Sequence, residues 1–435
     1  MFYIYYIRFA KEADDVKLII KIYSTVAVLL VGVLIIPILL SATVISHKAE
    51  MNEHMSTYIE KDSYKTIHIY DSSGIPIYDA GFSGDDVIRK SMFHIVGDRY
   101  GSLPNSILTQ NCKEERKVSK LFGYTPKNTT INLTIDIQLQ KAAYIALVNS
   151  GYNGCITIID YSTGEIKAMV STPTVDVFDT SYIQDKSYIN KAISTYPPGS
   201  VFKAVTVAAA LEINPTLKNY NYICSGTQNH IVCYGQTAHD QVDLNKALEV
   251  SCNCAVSNLA KTSLTSDMLD NYAEKFKLTG SDIVADMKIS QGSIESGDDL
   301  MWAANGQSKD MFSPLSIAMF YGTIANNGVF RQLKIMQESD NSATEQIMSS
   351  YTANTLAEAM TALCKKAGIQ CDAFGKTGTA QLDNQAAHAW FVCSLNDVDA
   401  PPYTIVTFLE HGEESVDAKN LTAEFINNNV LNRGA

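Results

Sequence analysis

The sequence has no repeat of fixed period, no low-complexity tract and no surplus of positive charge. The first absence removes solenoids and propellers, and the second removes long disordered linkers. Against 34 Lys and Arg stand 46 Asp and Glu, a net charge of -12, so a nucleic-acid binder with a basic face is excluded. Histidine is scarce, with 8 in the chain, and no cluster of histidines accompanies the cysteines. Cys252-Asn253-Cys254 is too tight for a C-x-x-C knuckle, so the spacing gives no zinc pattern and implies no metal or cofactor.

One stretch is not globular. Ile22 to Ile45 carries 24 residues without a charge, enough to cross about 30 Å of hydrocarbon. Arg8, Lys11, Lys17 and Lys21 precede it, and the acidic residues mixed among them count little in orientation. The expectation is a short cytoplasmic tail (1–21), a single transmembrane anchor (22–45) and everything beyond residue 46 outside the cell membrane. A cleaved signal peptide normally has a shorter apolar region with a small-x-small site after it, and Ser41-Ala42-Thr43 is a poor version of that site.

An exported chain permits disulfides, but nine cysteines (112, 155, 224, 233, 252, 254, 364, 371 and 393) leave at least one unpaired. Cys224 and Cys233 flank a turn-like stretch, SGTQNHIV, and form the best disulfide candidate. Otherwise the cysteines read as small buried apolar residues.

Residues 46–130 read as a membrane-proximal stalk and small non-catalytic module. Residues 46–65 are polar and helix-compatible, 66–81 form a hairpin around Ser72-Ser73-Gly74, and Lys113 to Lys127 is a basic loop. From residue 131 the texture changes. A helical pattern over 137–150 precedes strand, turn and strand over 155–171, and further strands fall at 389–395 and 403–410. Helical stretches at 199–212, 244–262, 312–327 and 352–367 lie between. Strands at both ends with helices between predict an α+β unit over 131–435, an antiparallel sheet flanked by helices.

Three short motifs inside this unit bear chemistry. Ser200 and Lys203, in Tyr196-Pro-Pro-Gly-Ser-Val-Phe-Lys203, lie three residues apart and so share one helix face. A serine needs a nearby base to become nucleophilic, and a lysine serves only if its pKa is lowered by burial or by a neighbouring cation. Ser251 and Asn253 offer a hydroxyl and an amide two residues apart. Lys376, Thr377, Gly378 and Thr379 offer a cation and hydroxyls for a carboxylate, with a glycine that permits close backbone approach. Each motif alone has a bland reading: an N-cap with a surface lysine, a polar break in a helix, a surface strand with a bulge. Together, in this order and about 50 and 125 residues apart, they match the S-x-x-K, S-D-N and K-T-G triplet shared by penicillin-binding proteins and class A β-lactamases.

Over residues 131–435 the chain resembles the transpeptidase domain of class B penicillin-binding proteins, in LTIDIQLQ, STGEIKAMVSTP, YPPGSVFK, SPLSIAMFYGTIANNG and GKTGTAQ followed by HAWFV. The resemblance implies a serine D,D-peptidase/β-lactamase-like fold and D,D-transpeptidase activity on peptidoglycan stem peptides. Ser200 would be acylated, with Lys203 as its base. Ser251 and Asn253 would relay protons and hold the substrate amide. Lys376, Thr377, Gly378 and Thr379 would bind the terminal D-Ala carboxylate. The backbone N–H groups of Ser200 and Thr379 would form the oxyanion hole. β-Lactams would be covalent inhibitors, and a membrane glycan polymerase would be the partner. The sequence departs from the pattern at Cys252, at Ala238-His239-Asp240 where His-Gly is expected, and at Gly306-Gln307-Ser308. The region between anchor and catalytic domain is short for such a protein and leaves no room for a glycosyltransferase. The alternatives are a D,D-carboxypeptidase or β-lactamase on the same fold, and a non-catalytic sensor or scaffold.

Overall fold

The computed structural model describes residues 66–432 except 80, 99, 116–128, 180–182, 285–286, 298, 308, 340–342, 383–384 and 413, with scattered positions between Lys17 and Ile35. The expected tail (1–21) and stalk (46–65) fall almost wholly outside the described residues. So does much of the expected span, 22–45, though its described positions up to Ile35 are helical and Val28, Leu29, Leu30 and Val33 are exposed. Among the described residues no helix is long and apolar enough to cross a membrane.

The described residues from 66 onward belong to one compact unit. The hairpin expected at 66–81 forms as β1 (Ile67–Tyr70) and β2 (Pro76–Asp79). Asp71 shapes the turn, its carboxylate accepting from the Ser73 and Ile75 N–H groups. After α1 (Asp86–Val96) the chain returns as β3 (Thr129–Asn132), which pairs parallel with β1 in a three-stranded sheet of order β2-β1-β3. The boundary expected at 130/131 therefore falls inside a strand paired with the hairpin.

The main sheet has five antiparallel strands. Two follow α2 (Ile137–Asn149): β4 (Gly154–Asp160) and β5 (Glu165–Thr172). A central helix, α3 (Lys203–Ile213), leads to a small four-stranded region: β6 (Asn221–Cys224), β7 (Thr227–Gln228), β8 (Ile231–Val232) and β9 (Asp240–Asp243). Helices α4 (Leu244–Glu249), α5 (Asn253–Ser263), α6 (Pro314–Ala325) and α7 (Ser350–Lys366) precede β10 (Ala373–Leu382), β11 (Gln385–Leu395), β12 (Tyr403–Leu409) and the terminal helix α8 (Ser415–Phe425). Strand order is β10-β11-β12-β4-β5, so N- and C-terminal strands share one sheet and β10 is an edge.

Both faces of that sheet are covered, and the strands alternate between two cores with the period of two that a pleated strand imposes. Ile156, Ile158, Phe391, Cys393, Ile405 and Leu409 pack with Leu139, Ala143 and Leu147 of α2 and Ala418 and Ala423 of α8. Trp390, Val392, Val406 and Phe408 face the other core, which holds α3 and α6. α3 is buried on every side from Lys203 to Leu211 and, apart from Lys203 and Thr206, apolar over that span, as befits a helix inside a core. α6 is opened by Ser313, whose hydroxyl accepts from the Ser316 N–H, with Pro314 in the first turn.

Two expected helices differ. The stretch 199–212 opens as a 3-10 turn, Gly199–Phe202, before α3 proper. The stretch 244–262 is two helices, because Ser251 takes a left-handed backbone with φ of 55° and the Cys252 sulfur caps α5, accepting from the Ala255 N–H at 3.4 Å. The break turns Ser251 toward α3.

Phe408 ties sheet to helices: its ring lies 4.3 Å from that of Tyr196 and 4.7 Å from that of Trp390. Phe408→Ala is expected to lower stability by about 3–5 kcal/mol, measured by urea unfolding. A loss below about 1 kcal/mol would show that the core closes around the gap.

Candidate active site

The 3-10 turn places Ser200 against the edge strand. Tyr196 exchanges two backbone hydrogen bonds with Phe312, both at 2.9 Å, and the Gly199 N–H donates to the Gly306 carbonyl at 3.0 Å. Gly199 sits at φ of 56°, and a Cβ there would meet the Thr379 carbonyl oxygen at 2.6 Å. Gly378 faces the same turn from the strand, where a Cβ would meet the Pro198 oxygen at 2.8 Å. Two glycines, one on each side, let the serine turn and β10 touch backbone to backbone. Beneath the turn the buried Tyr321 hydroxyl donates to the Val201 carbonyl at 2.9 Å.

Lys203 is the centre of the site and is completely buried. Its Nζ lies 2.8 Å from Ser200 Oγ, 2.9 Å from Ser251 Oγ, 2.9 Å from the Ser251 carbonyl and 2.6 Å from Asn253 Oδ1. The Asn253 amide is oriented by its own donation to the Val232 carbonyl at 2.7 Å, which turns Oδ1 toward the lysine. The carbonyl of Ser251 and Oδ1 of Asn253 can only accept. A neutral amine therefore gives them its two N–H groups and keeps its lone pair for a hydroxyl. That is the arrangement a base needs. Burial pushes the Lys203 amine down to about 7, offset in part by the neighbouring thiols of Cys252, Cys233 and Cys254.

Lys376 comes from β10 and is buried too. Its Nζ donates to Ser251 Oγ at 3.0 Å and to the Thr377 carbonyl at 3.2 Å, so the two lysines share the Ser251 hydroxyl. Burial first, and the charge of Lys203 second, push the Lys376 pKa well below that of a free lysine. Thr377 and Thr379 are half-exposed on the same strand, with Gly378 buried between them.

The structure thus gathers Ser200, Lys203, Ser251, Asn253 and Lys376 into one hydrogen-bonded group, with Thr377, Gly378 and Thr379 on the adjoining edge. The sequence reading missed two supports. Gln307 donates from Nε2 to the Thr379 carbonyl at 3.1 Å, and Gly306 accepts from Gly199. Both lie in the segment that departs from the family pattern, and its position just before SPLSIA was the available signal. The reading also missed a cluster: Cys224, Cys233, Cys252 and His239 converge, their donor atoms all within 4.8 Å of one another. Exclusion of a metal on spacing weighed neighbours in sequence alone, whereas these residues come from four separate segments. Cys224 and Cys233, the disulfide candidate, are free thiols with sulfurs 3.7 Å apart, well beyond the roughly 2.05 Å of a bond.

Residues 154–431 match the family model for the penicillin binding protein transpeptidase domain. The peptidoglycan D,D-transpeptidase PbpA of Mycolicibacterium smegmatis is 27% identical over 367 residues, covering 70% of this chain and 72% of that protein. The peptidoglycan D,D-transpeptidase FtsI of Escherichia coli is 24% identical over 383 residues, covering 76% and 61%. Among solved structures, penicillin-binding protein A from M. tuberculosis in a penicillin G acyl-enzyme complex superposes with a TM-score of 0.68 at 21% identity, covering 83% of this chain and 99% of that one.

The lowered pKa gives a direct test. With lysines labelled at Cε, the NMR signal of Lys203 is expected to titrate near pH 7 and to be missing in Lys203→Arg. A midpoint near 10 would mean the amine is charged at neutral pH and cannot be the base.

Proposed function

The chain belongs to the class B penicillin-binding proteins, and from that premise we propose that it cross-links peptidoglycan stem peptides as a D,D-transpeptidase through an acyl-enzyme on Ser200, the residue that β-lactams acylate. The observation that carries the assignment is Ser200 Oγ at 2.8 Å from a buried lysine whose pKa is lowered to about 7. Neutral Lys203 takes the hydroxyl proton as Oγ attacks the penultimate D-Ala carbonyl. The negative oxygen is met by the backbone N–H groups of Ser200 and Thr379, a kind of contact worth several kcal/mol in acyl transfer. The C–N bond breaks and D-Ala leaves as an amine, its proton supplied through Ser251, which touches both lysines. An amine from a second stem then attacks the ester, surrenders a proton along the same path and regenerates Ser200.

Lys376, with the hydroxyls of Thr377 and Thr379, receives the terminal carboxylate. Both ends of the Asn253 amide are engaged, by Lys203 and by Val232. Its first role is to orient the base, and its second N–H and the second lone pair of Oδ1 remain for a substrate amide. Hydrolysis is the rival reading, and it needs a group that activates water in deacylation. No carboxylate is among the hydrogen-bond partners of Ser200, Lys203, Ser251, Asn253 or Lys376 among the described residues, which favours transfer to an amine. A sensor or scaffold would acylate and make no cross-link.

Residues 22–45 are proposed as a single-pass anchor, with the N-terminus cytoplasmic and the catalytic domain outside. The exposed apolar side chains at 28–30 and 33 support it. So do the hydroxyls of Ser24 and Thr25, which donate back to the Lys21 carbonyl as polar groups must in lipid. A membrane glycan polymerase is the proposed partner along residues 22–110. Co-purification that recovers no wall-synthesis protein would remove it.

Labelling with a fluorescent penicillin, followed by denaturing electrophoresis, tests the nucleophile. Wild type is expected to give a covalent band, and Ser200→Ala none. Lys203→Arg should acylate about 10²–10⁴-fold more slowly, the usual worth of a general base. Because the base acts when neutral, the wild-type rate should climb as pH rises through about 7 and then level. A folded wild type that gives no band would overturn the assignment.

A further inference from the structure

Behind Ser251 and Asn253, the region from β6 to the start of α5 lends Leu244 and Leu248 to the main core and keeps only a small cluster of its own. Its buried cluster is Cys224, Cys233, Val242, Ala247, Cys252, Cys254 and Ala255, so four of the seven are cysteines and Val242 is the largest aliphatic. Its four strands are two to four residues long. A module this small does not hold shape by apolar burial, and a structural metal is a common substitute.

The sulfurs and one imidazole nitrogen are spaced for a metal. Cys233 Sγ lies 3.7 Å from Cys224 Sγ and 3.7 Å from Cys252 Sγ, and Cys224 Sγ lies 3.6 Å from His239 Nδ1. Tetrahedral ligands at about 2.3 Å (sulfur) and about 2.0 Å (nitrogen) from zinc would be roughly 3.8 Å apart for two sulfurs and roughly 3.5 Å for sulfur and nitrogen. The Gly226 N–H donates to Cys224 Sγ, and the Ala255 N–H to Cys252 Sγ, each at 3.4 Å, the outer contacts that steady a thiolate ligand. The cysteines are buried and His239 is half-exposed, which leaves a side for entry.

We propose that Cys224, Cys233, His239 and Cys252 bind one zinc ion, and that this ion fixes the backbone on which Ser251 and Asn253 stand. Three thiols release their protons as the ion binds, and imidazole coordinates neutral through Nδ1, leaving a site of net charge -1. Cys252 is the residue between Ser251 and Asn253, so one ligand lies within the catalytic motif itself. Val232, which orients Asn253, immediately precedes ligand Cys233. Cys254 stands 3.5 Å from Cys233, is outside the converging four, and donates to the Ile231 carbonyl at 3.8 Å.

The metal claim does not depend on the transpeptidase reading; only its effect on Ser200 does. The full chain, purified in detergent without chelator, is expected to carry one zinc per molecule by elemental mass spectrometry. Cobalt exchange should give thiolate charge-transfer bands with the ligand-field spectrum of a tetrahedral site. Cys233→Ser and His239→Ala should lose metal affinity by more than the roughly 10–100-fold that outer-contact mutations cost, while Cys254→Ser keeps the metal. Zinc chelation should slow acylation of Ser200 by fluorescent penicillin at least tenfold, with recovery when zinc is returned. Wild type without metal that takes up no cobalt, or an intact mass two hydrogens short from a Cys224–Cys233 disulfide, would overturn the site, and both readings stand even where variants fail to fold. Loss of metal in Cys254→Ser with retention in His239→Ala would overturn the ligand assignment. Acylation unchanged after proven removal of zinc would overturn the positioning role.

Discussion

Everything in this site depends on an amine kept out of water with no acid beside it. Lys203 is met by two hydroxyls, a carbonyl and an amide oxygen, and none of these carries a formal charge to hold a proton on it. Burial alone would disfavour the ammonium. A second buried amine, Lys376, leans on the same serine hydroxyl, and the charge of Lys203 lowers its pKa in turn. The result is a base poised near neutrality, beside a second amine with N–H groups to offer an anion. A substrate carboxylate would accept from Lys376 and from the hydroxyls of Thr377 and Thr379.

The fold serves this pairing by bringing together pieces distant in sequence. The buried helix α3 carries Lys203, a broken helix supplies Ser251 and Asn253, and an edge strand supplies Lys376. The joint between them is backbone against backbone at Gly199 and Gly378, where no side chain could serve as a spacer. Gln307 and Gly306 clamp that joint from a third segment, linking Thr379 to Gly199.

Much of this was legible in the sequence, and for physical reasons. The strands at 155–171, 389–395 and 403–410 declare themselves through β-branched and aromatic runs, and the three motifs declare the chemistry because their residue types and order are rarely found together by chance. What stayed hidden was non-local. The helix read over 244–262 gives no local sign that Ser251 would turn left-handed, since the break is set by packing against Lys203 and the Cys252 cap. The hairpin at 66–81 read as part of a separate module, although β1 waits for β3, more than fifty residues later, to complete its pairing. The convergence of Cys224, Cys233, His239 and Cys252 was invisible to spacing rules built for knuckles, because it joins the ends of short strands to a helix cap.

The three-stranded sheet has a mechanical consequence. The described chain enters the catalytic unit through β1, the central strand, flanked by β2 on one side and β3 on the other. A pull on the chain before residue 67 would act along β1 and load its hydrogen bonds to both neighbours in shear. Sheared bonds share the load and yield together, whereas peeled bonds fail one at a time. Because β3 runs on into the turn before α2 and β4, tension applied at the N-terminal side would reach the main sheet through that pairing rather than through any residue of the Lys203 group.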